Sequence, residues 1–408
     1  MRPPKVYSID EHRIPQYKID KQAFYVIEKL RISGFIAFLV GGSVRDLLLN
    51  VRPKDFDIST SAKPEEIKKI FKRNCILIGR RFRLAHIRFG RKVIEVSTFR
   101  AGETGQATLI VRDNIWGSPE QDVIRRDFTI NGLFYDPEVQ TLIDYVGGFI
   151  DLEKKILKTI GVPEIRFIQD PVRMIRLLKF KARFDLEIED QTLKAMQVNK
   201  KEILKSSPTR ILEELFKMLQ SGSSKNFFYL LTKYEILDLL SPNLANILRE
   251  DKKAYDLLKV LDIYVKENPP YSLDRAVLVS ALLFNILEKK LKTDYIDKDI
   301  FLHIGTIANV TRQVIDDIFM PFFHISRKMK AQIISILSNQ FRIEPIVKPK
   351  RRRFKIPKDP FFILALDFLN LRCIENPNLT NMYNLWNKRF LESKKTKRNF
   401  NKSRHAKF

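Results

Sequence analysis

Two aspartates stand two residues apart, Asp55 and Asp57, in the stretch KDFDIST (54–60). In an extended strand residues i and i+2 point to one face, so both carboxylates converge while Phe56 faces away. Paired like charges are costly unless a cation compensates them. A hard dication such as magnesium takes oxygen ligands and keeps substrate phosphates among them. The pair therefore suits a two-metal centre that activates a hydroxyl and stabilises a leaving pyrophosphate. By itself a D-x-D is a weak signal, since surface aspartate pairs are common. Gly41-Gly42 strengthens it, lying between the apolar run FIAFLV (35–40) and a helix expected to start at Ser43. Glycine permits close backbone approach, and a helix N-terminus there would bind phosphate oxygens. Arg45 would add charge-assisted contacts to the same anion. The alternative is an ordinary Gly-Gly turn with a serine cap. Glu95, amid the apolar neighbours of VIEVS (93–97), faces a site or solvent. Arg125-Arg126-Asp127, ahead of FTINGL (128–133), fits either a triphosphate and ribose contact or a structural ion-pair cluster.

The elements that must position these residues follow from patterning. Prolines 3, 4 and 15 break any helix over residues 1–17, which are expected to be extended. A helix is expected over about 20–33, ending near Gly34. Strand-like runs then alternate with turns to about residue 160: FIAFLV, DFDIST, AHIRFG (85–90) with KVIEVSTF (92–99), and LFYD (133–136) with TLIDYV (141–146). Pro64 opens a helix, PEEIKKIFKR. After Gly161-Val162-Pro163 apolar residues recur at three- and four-residue spacing through most of 167–345, as in ILEELFKMLQ (211–220) and KNFFYLLTKYEILDLL (225–240). The fold class is therefore α+β: a small mixed sheet with helices, then an all-α region. The expected divisions are an extended segment 1–19, a catalytic head 20–160, a helical neck 161–240, a helical body 241–345, and a basic segment 346–408. In that last segment a linker precedes one helix (361–375) and a disordered basic tail.

Composition narrows the partners. Of 408 residues, 74 are Lys or Arg and 48 are Asp or Glu, a net charge of +26. Residues 346–358 and 391–408 together supply +13 of it, so half of the excess lies in the body. Such density favours a polyanion, and nucleic acid above all. Two cysteines far apart in sequence, Cys75 and Cys373, argue against a disulfide framework or a thiolate zinc site. No apolar run long enough to span a bilayer and no secretory leader is evident, so no membrane and a cytoplasmic location are expected.

Taken in order, the motifs LVGGSVRDLLL (39–49), KDFDIST, IEVSTFR (94–100), RRDFTINGL (125–133), DYVGG (144–148) and QDPVRMIRLLKF (169–180) resemble the class II polynucleotide nucleotidyltransferases, the family of bacterial poly(A) polymerases and CCA-adding enzymes. The resemblance runs from about residue 20 to about 240. It implies a nucleotidyltransferase head, two Mg²⁺ ions held by Asp55 and Asp57 with Glu95 as third carboxylate, and Asp127 in the active centre. It also implies nucleotide contacts from Gly41, Gly42, Ser43, Arg45, Asp46, Arg126 and Asn131. Base choice would fall to Asp170 and Arg173, i,i+3 neighbours on a helix face continued by Arg176. Gln169 departs from the pattern, standing where the family commonly has Glu. The segment ILIGRRFRLAHIRFG (76–90) is similar to one characteristic of the poly(A) polymerases, and its Arg80, Arg81 and Arg83 would touch triphosphate or RNA. The implied reaction adds AMP from ATP to RNA 3′ ends. CCA addition to tRNA and a non-catalytic RNA-binding role remain the alternatives, and RNA-decay or RNA-chaperone proteins are possible partners. Phe227, Phe228 and Tyr229 are expected in the core rather than stacked on bases.

Overall fold

The computed structural model describes residues 3–79, 84–101, 115–269, 273–320, 322–344 and 355–405. The chain divides into two compact units, Met1–Ile203 and Leu204–Phe408.

The first unit is built on an eight-stranded sheet. Its strands are β1 (Lys5–Tyr7), β2 (Ala37–Val40), β3 (Asp57–Thr60), β4 (Cys75–Ile78), β5 (Leu84–Phe89), β6 (Lys92–Thr98), β7 (Leu133–Asp136) and β8 (Thr141–Asp144). Their order is β1-β8-β7-β2-β3-β6-β5-β4. Only β3 and β6 run parallel; the other pairings are antiparallel. Helix α1 (Lys21–Ile32) forms where Asp20 caps the N–H groups of Gln22 and Ala23, and it buries Ala23, Val26, Ile27 and Leu30 along one stripe. It packs against β2 and β3, while α3 (Pro64–Phe71) packs against β4 and β5. Between these helices and the sheet lies the main core, including Leu39, Ile58, Ile67, Phe71, Ala85, Ile87, Ile94 and Val96. The opposite face of the central strands is covered by a second cluster, Val40, Phe99, Val123, Phe134 and Ile160. Residues 3–18, expected to be wholly extended, instead hold β1 at the sheet edge, one helical turn at Ile9–His12 and a 3₁₀ turn at Gln16–Lys18. Ser8 supplies a capping box with Glu11, a signal that Pro4 and Pro15 obscured.

Beyond the sheet come α4 (Pro119–Ile124), α5 (Gly148–Glu153), α6 (Pro163–Gln169), α7 (Val172–Phe184) and α8 (Asp190–Asn199). The second unit is helical: α9 (Pro208–Leu219), α10 (Ser224–Lys233), α11 (Ile236–Leu240), α12 (Pro242–Glu250), α13 (Asp256–Glu267), α14 (Arg275–Asp294), α15 (Ile304–Phe319), α16 (Arg327–Ile343), α17 (Phe362–Glu375) and α18 (Thr380–His405). Phe227 and Phe228 are core residues, and Tyr229 is 52% exposed. The stretch 225–240 breaks into α10 and α11 at Glu235, whose φ is 57°. The tail expected to be disordered is helical over Thr380–His405. Leu379, Tyr383, Trp386 and Phe390 make an apolar stripe that packs on Phe362, Leu366 and Leu369 of α17. Polar residues between these positions, among them Asn381, Asn384, Asn387, Lys388 and Arg389, hid the periodicity. No helix among the described residues is long and apolar enough to cross a membrane.

Candidate active site

The register places Asp57 at the start of β3, between β2 and β6. Val40 pairs with Asp57 across β2–β3, and Asp57 with Glu95 across the parallel β3–β6 pair. The strand begins at Asp57, and the exposed Asp55 lies just before it. Burial pushes the Asp57 carboxyl up to about 6, Glu95 and Asp55 push the same way, and Arg126 opposes them. Glu95 is half-exposed, with Oε1 3.4 Å from His86 Nε2.

Arg126 comes to Asp57 through a buried anchor. Asp122 on α4 is fully buried. Its Oδ2 accepts from Arg126 Nη2 at 2.8 Å and Nε at 3.2 Å, and its Oδ1 from Arg125 Nε at 2.9 Å. Burial alone would raise this carboxyl, but the charges of Arg126 and Arg125 more than reverse it and lower it. Arg126 Nη2 also donates to Ser59 Oγ on β3 at 3.3 Å. Gly41 has φ 65°, and a Cβ there would meet Arg126 Nη1 at 2.9 Å. The glycine turn thus makes room for the guanidinium beside the aspartates.

Asp127 lies one residue further and is buried. Its Oδ1 accepts from Asn131 Nδ2 and from Phe128 N–H, both at 2.9 Å, and its Oδ2 from Arg176 Nε at 2.6 Å. Burial works against ionisation, yet Arg176, Asn131 and Arg173 hold the carboxyl well below the usual range. The DYVGG motif supports this turn. Asp144 accepts the N–H groups of Val146, Gly147, Gly148 and Phe149, and Gly148 lies against the Thr129 carbonyl so closely that a Cβ would come within 2.0 Å.

Several expected nucleotide contacts are placed differently. Arg45 is buried, donates to Asp46 Oδ1 at 2.6 Å and to Asn131 Oδ1 at 2.6 Å, and lies over the rings of Phe180 and Phe184. It is engaged inward as a structural tie, not aimed at an anion beyond the glycine turn. Asp46 also pairs with Arg183 at 3.2 Å, so residues 45, 46, 131 and 183 form one bracket between α2 (Gly42–Leu48) and α7. Helix α2 starts at Gly42 with Gly41 as its cap, and the Ser43 hydroxyl donates back to Val40 O at 3.0 Å. Asp170 does not share a helix with Arg173. It terminates α6 with φ −146°, and α7 starts at Val172. Arg173 is buried and donates to the carbonyl of Arg125 at 3.0 Å, while Arg176 is on Asp127. Arg80, Arg81 and Arg83 lie outside the described residues.

Sequence reasoning missed two residues. Asp122 stands three and four positions before Arg125 and Arg126, the spacing at which helical ion pairs form, and was there to be found. Arg166 offered no local signal. It is 2% exposed, donates to the carbonyls of Ile124 and Arg126 at 3.1 and 2.7 Å, and takes Gln169 Oε1 at 2.9 Å. Burial, helped by Arg173, lowers its guanidinium to about 9.

Among the described residues no three Asp, Glu, His or Cys side chains converge as a closed metal site. The donor set still fits magnesium. Asp55 and Asp57 are hard oxygen donors, and the raised Asp57 carboxyl marks negative charge that a cation would relieve. Magnesium ordinarily completes its shell from water and substrate phosphates, so two protein carboxylates suffice.

Three family models match successive parts of the chain: the poly A polymerase head domain over residues 37–158, a probable RNA and SrmB-binding site of polymerase A over 185–248, and the polymerase A arginine-rich C-terminus over 306–407. Poly(A) polymerase I of Salmonella typhimurium is 34% identical over 386 residues, covering 90% of this chain and 81% of that one. A CCA-adding enzyme of Pediococcus pentosaceus is 38% identical over 261 residues, 63% of each chain. The solved Bacillus stearothermophilus CCA-adding enzyme in complex with CTP superposes with a TM-score of 0.63 at 23% identity, covering 93% of this chain and 83% of that one, a likeness of fold. Identity sustained at that level over most of both chains, with the head model centred on the Asp57 sheet, means that the chain belongs to the poly(A) polymerase and CCA-adding enzyme family of RNA nucleotidyltransferases.

Proposed function

We propose that this chain adds AMP from ATP to the 3′ end of RNA without a nucleic-acid template, releasing pyrophosphate. The observation that carries the chemistry is the juxtaposition of Asp57 with Arg126 across the Gly41 turn. An acidic centre able to hold a cation lies beside a fixed guanidinium, the arrangement that phosphoryl transfer needs for positioning and charge neutralisation. Asp55 and Asp57 would hold magnesium, which would lower the pKa of the RNA 3′-hydroxyl and offset charge on the triphosphate. Arg126, held in place by Asp122, receives triphosphate oxygens. Asp127 orients Arg176 and the Asn131 turn, and remains ionised while doing so. Asp170 and Arg173 hydrogen-bond the edge of the incoming base, with Arg173 fixed by the carbonyl of Arg125.

Adenylate tailing is favoured over CCA addition by the extent of likeness, which runs through the arginine-rich C-terminal model to residue 407. The Pediococcus pentosaceus CCA-adding enzyme matches 63% of the chain at 38% identity, while poly(A) polymerase I matches 90% at 34% identity in Salmonella typhimurium and 58% at 42% identity in Haemophilus influenzae. The test is primer extension with Mg²⁺ on an unstructured RNA and on a tRNA lacking its CCA end, with ATP, CTP or both. Long tails on the unstructured RNA with ATP alone are expected. Addition confined to the tRNA, dependent on CTP and halting after one CCA, would replace this reading with the second.

A further inference from the structure

Helix α4 ends at Ile124, and a helix end leaves carbonyls without intrahelical partners. The successive carbonyls of Ile124, Arg125 and Arg126 are taken by two arginines from later in the chain. Arg166 Nη2 donates to Ile124 O at 3.1 Å and to Arg126 O at 2.7 Å. Arg173 Nη2 takes the carbonyl between them at 3.0 Å, and its Nη1 donates to Arg166 O at 3.4 Å. Arg166 lies on α6 and Arg173 on α7, the two helices that meet at Asp170. Nη1 of Arg166 donates to Gln169 Oε1, beside Asp170. The corner that holds Asp170 is thus strapped to the turn that carries Arg126 and Asp127. As a helix cap alone, Arg166 is poorly suited. Its hydrogen-bond acceptors are all neutral, and its Nε has no partner among the described residues. Burial opposes its charge, and the support of Asp127 and Asp170 is through space, not by hydrogen bonds. A buried charge without a close counter-charge is costly, and the end of a six-residue helix could be satisfied by water or a short polar side chain instead. What only the fork of Arg166 supplies is a fixed backbone path from 124 to 126. Asp122 holds Arg126 by its guanidinium, and Arg166 holds it by its carbonyl.

We infer that Arg166 is a positioning residue that couples recognition of the base at Asp170 and Arg173 to alignment of the triphosphate by Arg126, so that nucleotide choice is expressed in turnover and not in binding alone. The inference rests on the proposed nucleotidyl transfer and deepens it, assigning how the two ends of one nucleotide are read together. A base that does not seat against the Asp170 corner displaces α6 or α7, and both straps pass that displacement to residues 124–126. A shift of about 1 Å there is enough to misalign reacting groups. The correct base holds the corner in place, and its binding energy is used to complete the phosphate clamp.

The test combines steady-state RNA extension with ATP or CTP and equilibrium displacement of a fluorescent ATP analogue by ATP or inorganic triphosphate, all on the full chain with Mg²⁺. Arg166→Gln removes the charge and the bridging fork, and Arg166→Lys keeps the charge without the fork. Both are expected to lower kcat with ATP about tenfold or more and to weaken inorganic triphosphate about threefold. CTP turnover already lacks the alignment and loses less, so the ratio of kcat/KM for ATP over CTP should narrow about fivefold. In an Arg126→Gln background, Arg166→Gln should cost less than about twofold further, in kcat and in displacement, because it acts through Arg126. A merely structural role lowers Tm and the folded fraction, scales every rate alike, and leaves the nucleotide ratio unchanged and the two substitutions independent. Ile27→Val, in the core under α1, provides that pattern for comparison. Folded Arg166 variants with the wild-type ATP-to-CTP ratio, or full additivity with Arg126→Gln, would overturn the inference while wild-type extension stands. A wild type that binds ATP and extends no RNA would instead overturn the proposed function, and additivity in the displacement assay would still decide the coupling.

Discussion

Replacing Asp122 by Asn is the sharpest test of how the arginine beside Asp57 is held. Asp122 is fully buried and its two oxygens accept from Arg125, from both Nε and Nη2 of Arg126, and from the Arg100 N–H at 3.2 Å. Asn keeps the volume and one acceptor, but turns an N–H₂ toward guanidinium donors and removes the charge. Hydrogen bonds to charged groups are worth about 1.5–3 kcal/mol each. They are not additive here, and Arg125 and Arg126 can partly rehydrate, with side chains 23% and 18% exposed. A net loss of about 2–4 kcal/mol is expected, since breaking a buried pair strands its partner. For a unit of this size that lowers Tm by roughly 5–12 °C. Freed from Asp122, Arg126 no longer points at Asp57, and kcat/KM for ATP should fall at least about tenfold. The acid side provides an independent check. The folded-state pKa of Asp122 lies below its ordinary 3.8, so its stabilisation is present above that value and is lost as pH falls through the folded-state pKa. The Tm gap between wild type and Asp122→Asn should therefore narrow on going from about pH 7 to about pH 3. Calorimetry at several pH values and steady-state kinetics measure all three. A variant with Tm within a degree of wild type and near-normal kcat/KM would refute the anchoring role of Asp122.

Asp57→Asn should abolish nucleotide addition and yet raise Tm without metal, because it removes a half-buried charge crowded by Glu95 and Asp55. A carboxyl raised to about 6 from 3.8 corresponds to at most ~3 kcal/mol, and partial exposure brings the expected gain to about 1–2 kcal/mol; a lower Tm would count against the crowding. Gln169→Glu should put a carboxylate within hydrogen-bond reach of buried Arg166, adding to the charges of Asp127 and Asp170, and raise Tm by a few degrees with kcat/KM for ATP held within about threefold. A drop in Tm would mean that Arg166 is already compensated. Trp386→Ala should cost about 3–5 kcal/mol within the cluster joining α17 and α18; hydrogen exchange across residues 362–390 should accelerate, and unchanged exchange would remove that cluster as the source of order.

What could be read from sequence divides by the range of the interaction. Strand pairs with a turn between them, such as β5–β6 at Gly90 and β7–β8 at Asp136-Pro137, were legible because period-two alternation and turn chemistry are local. So was α1, expected over about 20–33 and found at Lys21–Ile32. The proximity of Asp57 and Glu95 came only through the family resemblance, because a parallel pairing joins residues 38 apart and leaves no mark in either segment. Arg45 is the instructive case. An arginine three residues after a glycine pair looks like an anion ligand, since sequence reports its charge and not its direction. Its direction is decided by Phe180 and Phe184, more than a hundred residues on, and by Asn131, which shares it with Asp127. The same long-range logic explains why one guanidinium beside the acidic centre is buried and another is available. Arg45 has Asp46 against it and two rings beneath it, so its charge is already spoken for. Arg126 is tethered from behind by Asp122, which leaves its far edge toward Ser59 and the cleft that only a glycine at position 41 can open. A larger residue at 41 would have to displace that guanidinium, so the glycine turn acts by admitting the arginine as much as by presenting a helix end.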